Sequence, residues 1–219
     1  MNPATGVVSV PAGTPAGSYT IVYTLCEKLN PTNCQDATIT VPVGAAPIDA
    51  INDTYTAING ATGNANVGNV VTGTGTGSVA DTLNGAPTTL TNTTLSVVTP
   101  ATSVPGAPVG APVPVLDTTT GTLVVPPGTP AGTYSITYRL CEKLNPTNCD
   151  NAVASVTVDP SPIVAGNDSY TGINGTTGVP NAGNALANDT LNGQPATVGP
   201  TGNTTLAVTT PATPASPGA

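Results

Sequence analysis

The sequence has no histidine, tryptophan or phenylalanine, and lysine and arginine together number only 3 among 219 residues. Without histidine, a serine, threonine or cysteine nucleophile lacks its usual general base, so the composition predicts no enzymatic activity. The 11 acidic residues bring the formal net charge to −8. Because a surface that binds phosphates needs clustered cations, nucleic acid is excluded as a main partner.

Long apolar runs are missing as well. No apolar stretch approaches the ~18 residues of a transmembrane helix, so this segment predicts no membrane span. The start, MNPATG, has neither the basic region nor the apolar core of a signal peptide. Oxidised cysteines would place the mature protein outside the cytoplasm, and we therefore expect the chain to be part of a longer product.

What the sequence does contain favours short strands. Its 25 glycines and 24 prolines interrupt helices, and the apolar residues are mostly small or β-branched. Disordered chains rarely combine a hydrophobic fraction of 38% with clean alternation of apolar and polar residues. The composition therefore predicts an all-β fold.

The most informative stretch occurs twice, as YTIVYTLCEKLNPTNCQDATITV from Tyr19 and as YSITYRLCEKLNPTNCDNAVASVTV from Tyr134. Apolar and polar residues alternate on both sides of an Asn-Pro loop, which is typical of a β-hairpin with one buried face. Both cysteines of each copy fall in the polar register, on strands about 5 Å apart. The pattern predicts the disulfides Cys26–Cys34 and Cys141–Cys149, with free thiols as the alternative.

The whole chain is built on this repeat. Cys26 and Cys141 are 115 positions apart, whereas Asp81 and Asp189 are 108 apart, a drift that we assign to a loop insertion at residues 73–78, expected to be flexible. Turn residues separating about seven short strands predict an immunoglobulin-like (Ig-like) β-sandwich for the complete unit, residues 47–158. Its strands are expected near residues 51–58, 67–72, 88–90, 94–99, 113–116, 122–125, 132–141 and 149–158.

The two ends are interpreted as half-repeats. Residues 1–43 match the C-terminal half of a unit, and residues 160–219 match the N-terminal half. Isolated halves would expose strand edges and half a core, which natural proteins avoid. Two hypotheses follow: neighbouring repeats of a long tandem array supply the missing strands, or the half-repeats of successive chains complete each other head to tail. Both predict a thin fibre of beads.

Three blocks carry a family resemblance: GTPAGTYSITYRLCEKLNPTNCD, AGNDSYTGINGTTG and NALANDTLNG. Together they resemble the tandem Ig-like repeats, cadherin-like or fibril-type, of large bacterial surface adhesins and extracellular fibre proteins. The resemblance implies a stalk, filament or adhesive array at the bacterial cell surface, without enzymatic activity. It also implies possible calcium binding, since some such repeats bind the ion.

Calcium is the one cofactor that the residues allow us to consider. Asp53 and Asp168 lie in Asn-Asp pairs, Asp81 and Asp189 precede Thr-Leu-Asn-Gly, and Asp159 lies in the linker between units. Carboxylate oxygens near domain junctions are suitable calcium ligands. The alternative is that these segments form Asx-turns and hairpin loops without any metal.

Other candidate sites are weaker. The Glu-Lys pairs that follow Cys26 and Cys141 are expected to be exposed ion pairs contributing ~0–1 kcal/mol. All six tyrosines fall in predicted strands and are assigned to the core or its edge.

The sequence as a whole predicts an extracellular structural repeat that forms a stalk or filament on a bacterial surface, its units joined head to tail. The alternative is an adhesive module whose loops, such as residues 73–78 or 105–114, bind a glycan or the surface of a host or neighbouring cell. Exposed aromatic side chains would favour that alternative, because sugar sites usually stack on them.

Overall fold

A computed structural model describes residues 1–213, and every regular element in that range is a β-strand. The chain divides into two compact units, Met1–Asp159 and Pro160–Ala219. The last six residues of the predicted half-repeat 160–219 lie outside the described residues. No helix between residues 1 and 213 is long and apolar enough to cross a membrane.

The first unit begins with a hairpin of two strands, β1 (Gly17–Cys26) and β2 (Cys34–Val43). They pair antiparallel without a bulge, from Gly17 opposite Val43 to Cys26 opposite Cys34. This hairpin, hereafter the first hairpin, forms a sheet of its own, with no third strand on either edge in the described chain.

The rest of the first unit is hereafter called the complete domain; its expected bounds, residues 47–158, stay a prediction. It has ten strands. They are β3 (Ile48–Asp49), β4 (Asp53–Asn59), β5 (Asn64–Asn69), β6 (Thr82–Leu83), β7 (Ala86–Pro87), β8 (Thr93–Thr99), β9 (Val115–Leu116), β10 (Thr122–Val125), β11 (Gly132–Glu142) and β12 (Cys149–Asp159).

Two main sheets of this domain enclose one core. The first has the order β4-β12-β11-β8 and the second has the order β5-β10-β9, while β3-β6-β7 form a small third sheet. Hairpin β11–β12, hereafter the second hairpin, occupies the centre of the four-stranded sheet, with β8 antiparallel to β11 and β4 parallel to β12. Tyr138 and Leu140 from one sheet join Leu123 and Val125 from the other in a single buried cluster. This is the all-β, Ig-like sandwich that the sequence predicts.

Some predicted strands are misplaced. Residues 88–90 form no strand; instead the Thr88 hydroxyl donates to Asn92 Oδ1 at 2.6 Å inside a turn. The strands here are β6 and β7, which flank Asn84 and Gly85, both with positive φ (55° and 75°). That is the conformation of the Asn-Gly turn that joins hairpin strands. The expected strand 67–72 is β5, which ends earlier, because the Asn69 side chain accepts from the amides of the turn that follows.

Up to residue 213, the second unit repeats only the small sheet of the complete domain. Its strands are β13 (Ile163–Val164), β14 (Thr190–Leu191) and β15 (Gln194–Pro195). Residues 168–174 and 204–210, the counterparts of β4 and β8, are not in strands. In the complete domain those two strands pair with the second hairpin. The half-repeat boundaries 1–43 and 160–219 stay predictions.

Candidate head-to-tail interface

Both predicted disulfides are present. Cys26 and Cys34 are joined with an S–S distance of 2.06 Å, and Cys141 and Cys149 with 2.04 Å. Each pair lies directly opposite across its two strands. Each bond therefore closes the loop Glu-Lys-Leu-Asn-Pro-Thr-Asn at the end of its hairpin.

A buried carboxylate organises the loop of the second hairpin. The Glu142 side chain is only 4% exposed, and its Oε2 accepts from Asn145 Nδ2 at 2.9 Å and from Asn148 Nδ2 at 2.8 Å. The backbone closes around it, with Glu142 N donating to the Asn148 carbonyl at 3.0 Å. Because a buried carboxylate is stable only when hydrogen-bonded, these two amides fix the loop conformation.

The same two asparagines hold the base of the first hairpin. Asn145 Oδ1 accepts from the Ala16 amide at 2.6 Å, and Asn148 Nδ2 donates to the Ala46 carbonyl at 2.6 Å. Ala16 lies immediately before β1, and Ala46 lies just after β2. We call this contact the junction; it joins the end of one repeat to the closing loop of the next.

The first hairpin presents an equivalent loop to solvent. Asn30 and Asn33 donate to the two carboxylate oxygens of Glu27 at 2.7 and 3.0 Å, and all three residues are exposed. The hydrogen bonds from Asn33 and Asn30 hold the pKa of Glu27 below its ordinary value. The loop is thus preformed, although it makes no hydrogen bond to another repeat within the described residues.

The prediction of an exposed ion pair between Glu142 and Lys143 is therefore wrong. Glu142 is buried among amides, and Lys143 Nζ donates instead to the Leu90 and Thr91 carbonyls at 2.6 and 3.2 Å. Sequence reasoning missed the junction because Glu142 and its amide partners look like ordinary loop residues. The available signal was the unchanged Asn-Pro-Thr-Asn segment in both copies.

A second polar cluster lies inside the sandwich, around the hydroxyl of Tyr138. This hydroxyl donates to the Ile51 carbonyl at 2.9 Å, and carboxylate oxygens of Asp53 and Asp81 lie 3.4 and 3.3 Å from it. Asp81 also accepts from the Ile51 amide at 2.7 Å, while Asp53 accepts from the Ser78 hydroxyl at 2.7 Å. The cluster ties β4 and the loops beside it to the second hairpin.

Burial of two carboxylates in one cluster changes their acidity. Desolvation raises the pKa of Asp81 to about 7, and the neighbouring charge of Asp53 acts in the same direction. Desolvation likewise raises the pKa of Asp53. Since both shifts favour the protonated acids, the folded domain holds protons at pH values where the unfolded chain has already released them.

The five candidate calcium ligands do not meet at one place. Asp53 and Asp81 share the tyrosine cluster, Asp159 is the last residue of β12, and Asp168 and Asp189 belong to the second unit. Between residues 1 and 213, no group of three or more acidic, cysteine or histidine side chains has the arrangement of a metal site. The hydrogen bonds of Asp53 and Asp81 show that these acids have a structural role without an ion; calcium binding stays a prediction.

Two further expectations need correction. Residues 73–78 do not form a free loop: the Gly77 carbonyl accepts from the Thr54 amide at 3.1 Å. At Gly73 and Gly77, an added Cβ would lie within 2.2 Å of backbone atoms, so the segment packs closely on its neighbours. Moreover, Tyr19 and Tyr170 are exposed, at 40% and 43%, and Tyr170 is not in a strand.

Comparison with known proteins adds little to this description. The chain matches no protein-family model, and no curated protein matches it. Among solved structures it is similar to mouse clustered PcdhgC3 EC1-3, with 16% identity and a TM-score of 0.32. That match covers 65% of this chain and 43% of the other. The fold assignment therefore rests on the strand pairings described above.

Proposed function

We propose that the chain is an extracellular structural repeat of a stalk or filament on a bacterial surface, with units joined head to tail. The junction carries the proposal: Asn145 and Asn148 bind the backbone at Ala16 and Ala46. The first hairpin offers the same loop, held in the same way, at its exposed end. A linear array requires that the contact made by the loop of one repeat can also be made by the loop of the preceding repeat.

The covalent structure supports a load-bearing, extracellular role. Each disulfide closes the loop that makes or offers a junction, and such bonds persist in oxidising compartments outside the cytoplasm. The segment between the complete domain and the second unit reads Val158-Asp159-Pro160-Ser161-Pro162. Because each proline fixes φ and stiffens extended chain, this short linker restricts bending.

An adhesive site gains no support from the exposed tyrosines. Tyr19 is the counterpart of Tyr134, and Tyr170 is the counterpart of Tyr55; both counterparts are buried in the complete domain, at 2% and 1%. The exposed copies are therefore core residues without their partner strands. This explanation leaves no aromatic residue as a candidate for stacking on a sugar.

The junction can be tested within a single chain. Spin labels at Thr38 and Ser135, both exposed, should give a narrow distance distribution by pulsed electron resonance. Ala16→Pro removes the amide that Asn145 accepts from, so the distribution should broaden. In dilute solution Ala131→Pro is the matched control, because Ala131 holds the equivalent place in Gly-Thr-Pro-Ala-Gly and its amide donates no hydrogen bond within the described residues of a single chain. A distribution equally broad in the parent and both variants would contradict a rigid stalk.

A further inference from the structure

The first hairpin exposes the face that its copy buries. Tyr19 and Leu25 are 40% and 71% exposed, whereas their counterparts Tyr134 and Leu140 are 2% and 0% exposed. Both edges of this hairpin are also unpaired in the described chain. An apolar face between two open edges is a surface that other strands normally cover.

The complete domain shows which strands cover such a hairpin. Strand β4 runs parallel to β12, with Thr54 opposite Ser155, and β8 runs antiparallel to β11, with Ser96 opposite Arg139. From the other sheet, β10 adds Leu123 to the core and pairs with β5. Except for β10, the covering strands come from the N-terminal half of the repeat.

The second unit contains the counterparts of these covering strands without a hairpin to pair with. Its segments 168–174 and 204–210 match β4 and β8 but form no strands. Their apolar residues Ile173, Leu206 and Val208 are exposed at 47%, 62% and 79%. The N-terminal end of the chain has the same deficit, because residues 7–10 match β10 and are not in a strand. In the complete domain β10 pairs with β5, and the counterpart of β5 is residues 179–184 of the second unit. Each half lacks the strands that the other half contains.

Part of the binding geometry is already formed in the second unit. Asp189 accepts from the Gly166 amide at 2.7 Å, as Asp81 accepts from Ile51 at 2.7 Å. The Asn192 amide donates to the Pro162 carbonyl at 2.7 Å, as Asn84 donates to Pro47 at 2.7 Å. The loop that places Asp189, the counterpart of Asp81, is thus formed before any hairpin docks.

We propose that residues 160–213 of one molecule and residues 1–43 of a second copy fold together into one sandwich. In this shared domain the hydroxyl of Tyr23 lies beside Asp168 and Asp189, as that of Tyr138 lies beside Asp53 and Asp81. The inference rests on the proposed head-to-tail function and specifies its partner as another copy of this chain. Repetition of the contact adds one chain at a time and does not close on itself.

The junction continues into the shared domain. Ala131 and Ser161 are the counterparts of Ala16 and Ala46, each 115 positions later. In the assembly, Asn30 and Asn33 of the second copy bind the Ala131 amide and the Ser161 carbonyl. The docked hairpin is therefore held both by strand pairing and by a contact that this chain already makes once.

Disulfide trapping in the full chain tests the pairing. The counterparts of Ser155 and Thr54 are Thr40 and Ser169, so the double variant Thr40→Cys/Ser169→Cys places two thiols on adjacent parallel strands. Mild oxidation should yield a ladder of multiples of 21.2 kDa on a non-reducing gel. The matched control is Thr20→Cys/Ser169→Cys, because Thr20 lies opposite Thr40 on β1, one strand further away. At about 10 Å from Ser169 it is beyond disulfide reach.

Three results would overturn the proposal: equal ladders in both variants, no ladder in either, or a cross-linked product with the mass of one chain. The last would show that the two halves of the same molecule pair. The spin-label test of the junction needs no second copy. A narrow distribution there without a ladder here would leave the structural function standing and remove only this partner.

A variant that preserves the fold of the hairpin tests the tyrosine contact. Tyr23→Phe removes only the hydroxyl that would lie beside Asp168 and Asp189, so self-association measured by sedimentation should weaken roughly tenfold or more. Tyr19→Phe is the control, because that hydroxyl donates to the Pro15 carbonyl of its own segment at 2.9 Å. Equal affinities for the parent and Tyr23→Phe would contradict the proposed docking.

Discussion

The two hairpins of this chain share their sequence pattern and have different surroundings. In both, the strands pair in the same register, from a glycine at the start of the first strand to the disulfide at the other end. In both, the side-chain amides of two asparagines in the loop donate to a glutamate. Among the described residues, only the second hairpin has strands on its edges and a sheet across its apolar face. Local sequence therefore determines pairing, register and loop, while burial depends on strands supplied from elsewhere.

The largest expected effect comes from truncating the same isoleucine in each hairpin. Ile136 is buried to 1% exposure, so Ile136→Ala should lower the free energy of unfolding of the complete domain by about 2–5 kcal/mol. Ile21→Ala should leave that transition unchanged in dilute solution, because Ile21 is half-buried on an uncovered sheet. Urea unfolding at low protein concentration measures both. Similar losses in the two variants would mean that the first hairpin is also covered.

The pH dependence should belong to the complete domain. The pKa of Asp81 is about 7 in the folded state, above the ordinary 3.8, so the folded chain binds more protons between these values. The contribution of protonated Asp81 to the free energy of unfolding is fully present below about pH 4 and is lost as the pH rises through 7. We expect unfolding to require about 2–4 kcal/mol less at pH 8 than at pH 4.

Asp81→Asn imitates the protonated acid, so it should flatten this pH profile in urea unfolding. Asp189→Asn, the matched substitution in the second unit, should leave the profile of the complete domain as it is. If the unfolding free energy of Asp81→Asn depends on pH as steeply as that of the parent chain, a group other than Asp81 binds the proton.

A smaller effect distinguishes the two loops. Glu142→Ala leaves the Asn145 and Asn148 amides without their buried acceptor, which should cost about 1–3 kcal/mol of stability. Glu27→Ala removes the same acceptor from amides that face water, so thermal unfolding of the complete domain should not change. A matching decrease in both variants would show that the junction does not bury the second loop.

The sequence predicted what depends on nearby residues. The alternation from Tyr134 places β11 to within one residue, and the position of Cys141 and Cys149 in the polar register predicts their bond. Strands of two residues, such as β6 and β7, carry no periodic pattern and depend on the Asn84-Gly85 turn. The junction could not be read from the loop of Glu142, because Ala16 and Ala46, the partners of Asn145 and Asn148, lie in the preceding part of the chain.

The exposed tyrosines illustrate the same limit. Tyr170 has the neighbours of Tyr55 in the sequence, and the pattern assigns both to a buried strand. In the structure β4 pairs with β12 and Tyr55 lies in the core, 1% exposed, whereas Tyr170 has no such partner strand among the described residues. A pattern specifies which face can be buried, and a partner is needed to bury it.

Hydrogen exchange along the two hairpins tests the central claim most directly. Peptides covering residues 19–25 and 134–140 should be compared within each sample of a series of increasing protein concentration. The account predicts that residues 134–140 are protected throughout, and that exchange in residues 19–25 slows towards the same rate when a second copy covers the first hairpin. The measurement should reach the protein concentration used for the sedimentation comparison of Tyr23→Phe with the parent chain. Fast exchange in residues 19–25 at every concentration would contradict the claim that a second copy covers the first hairpin.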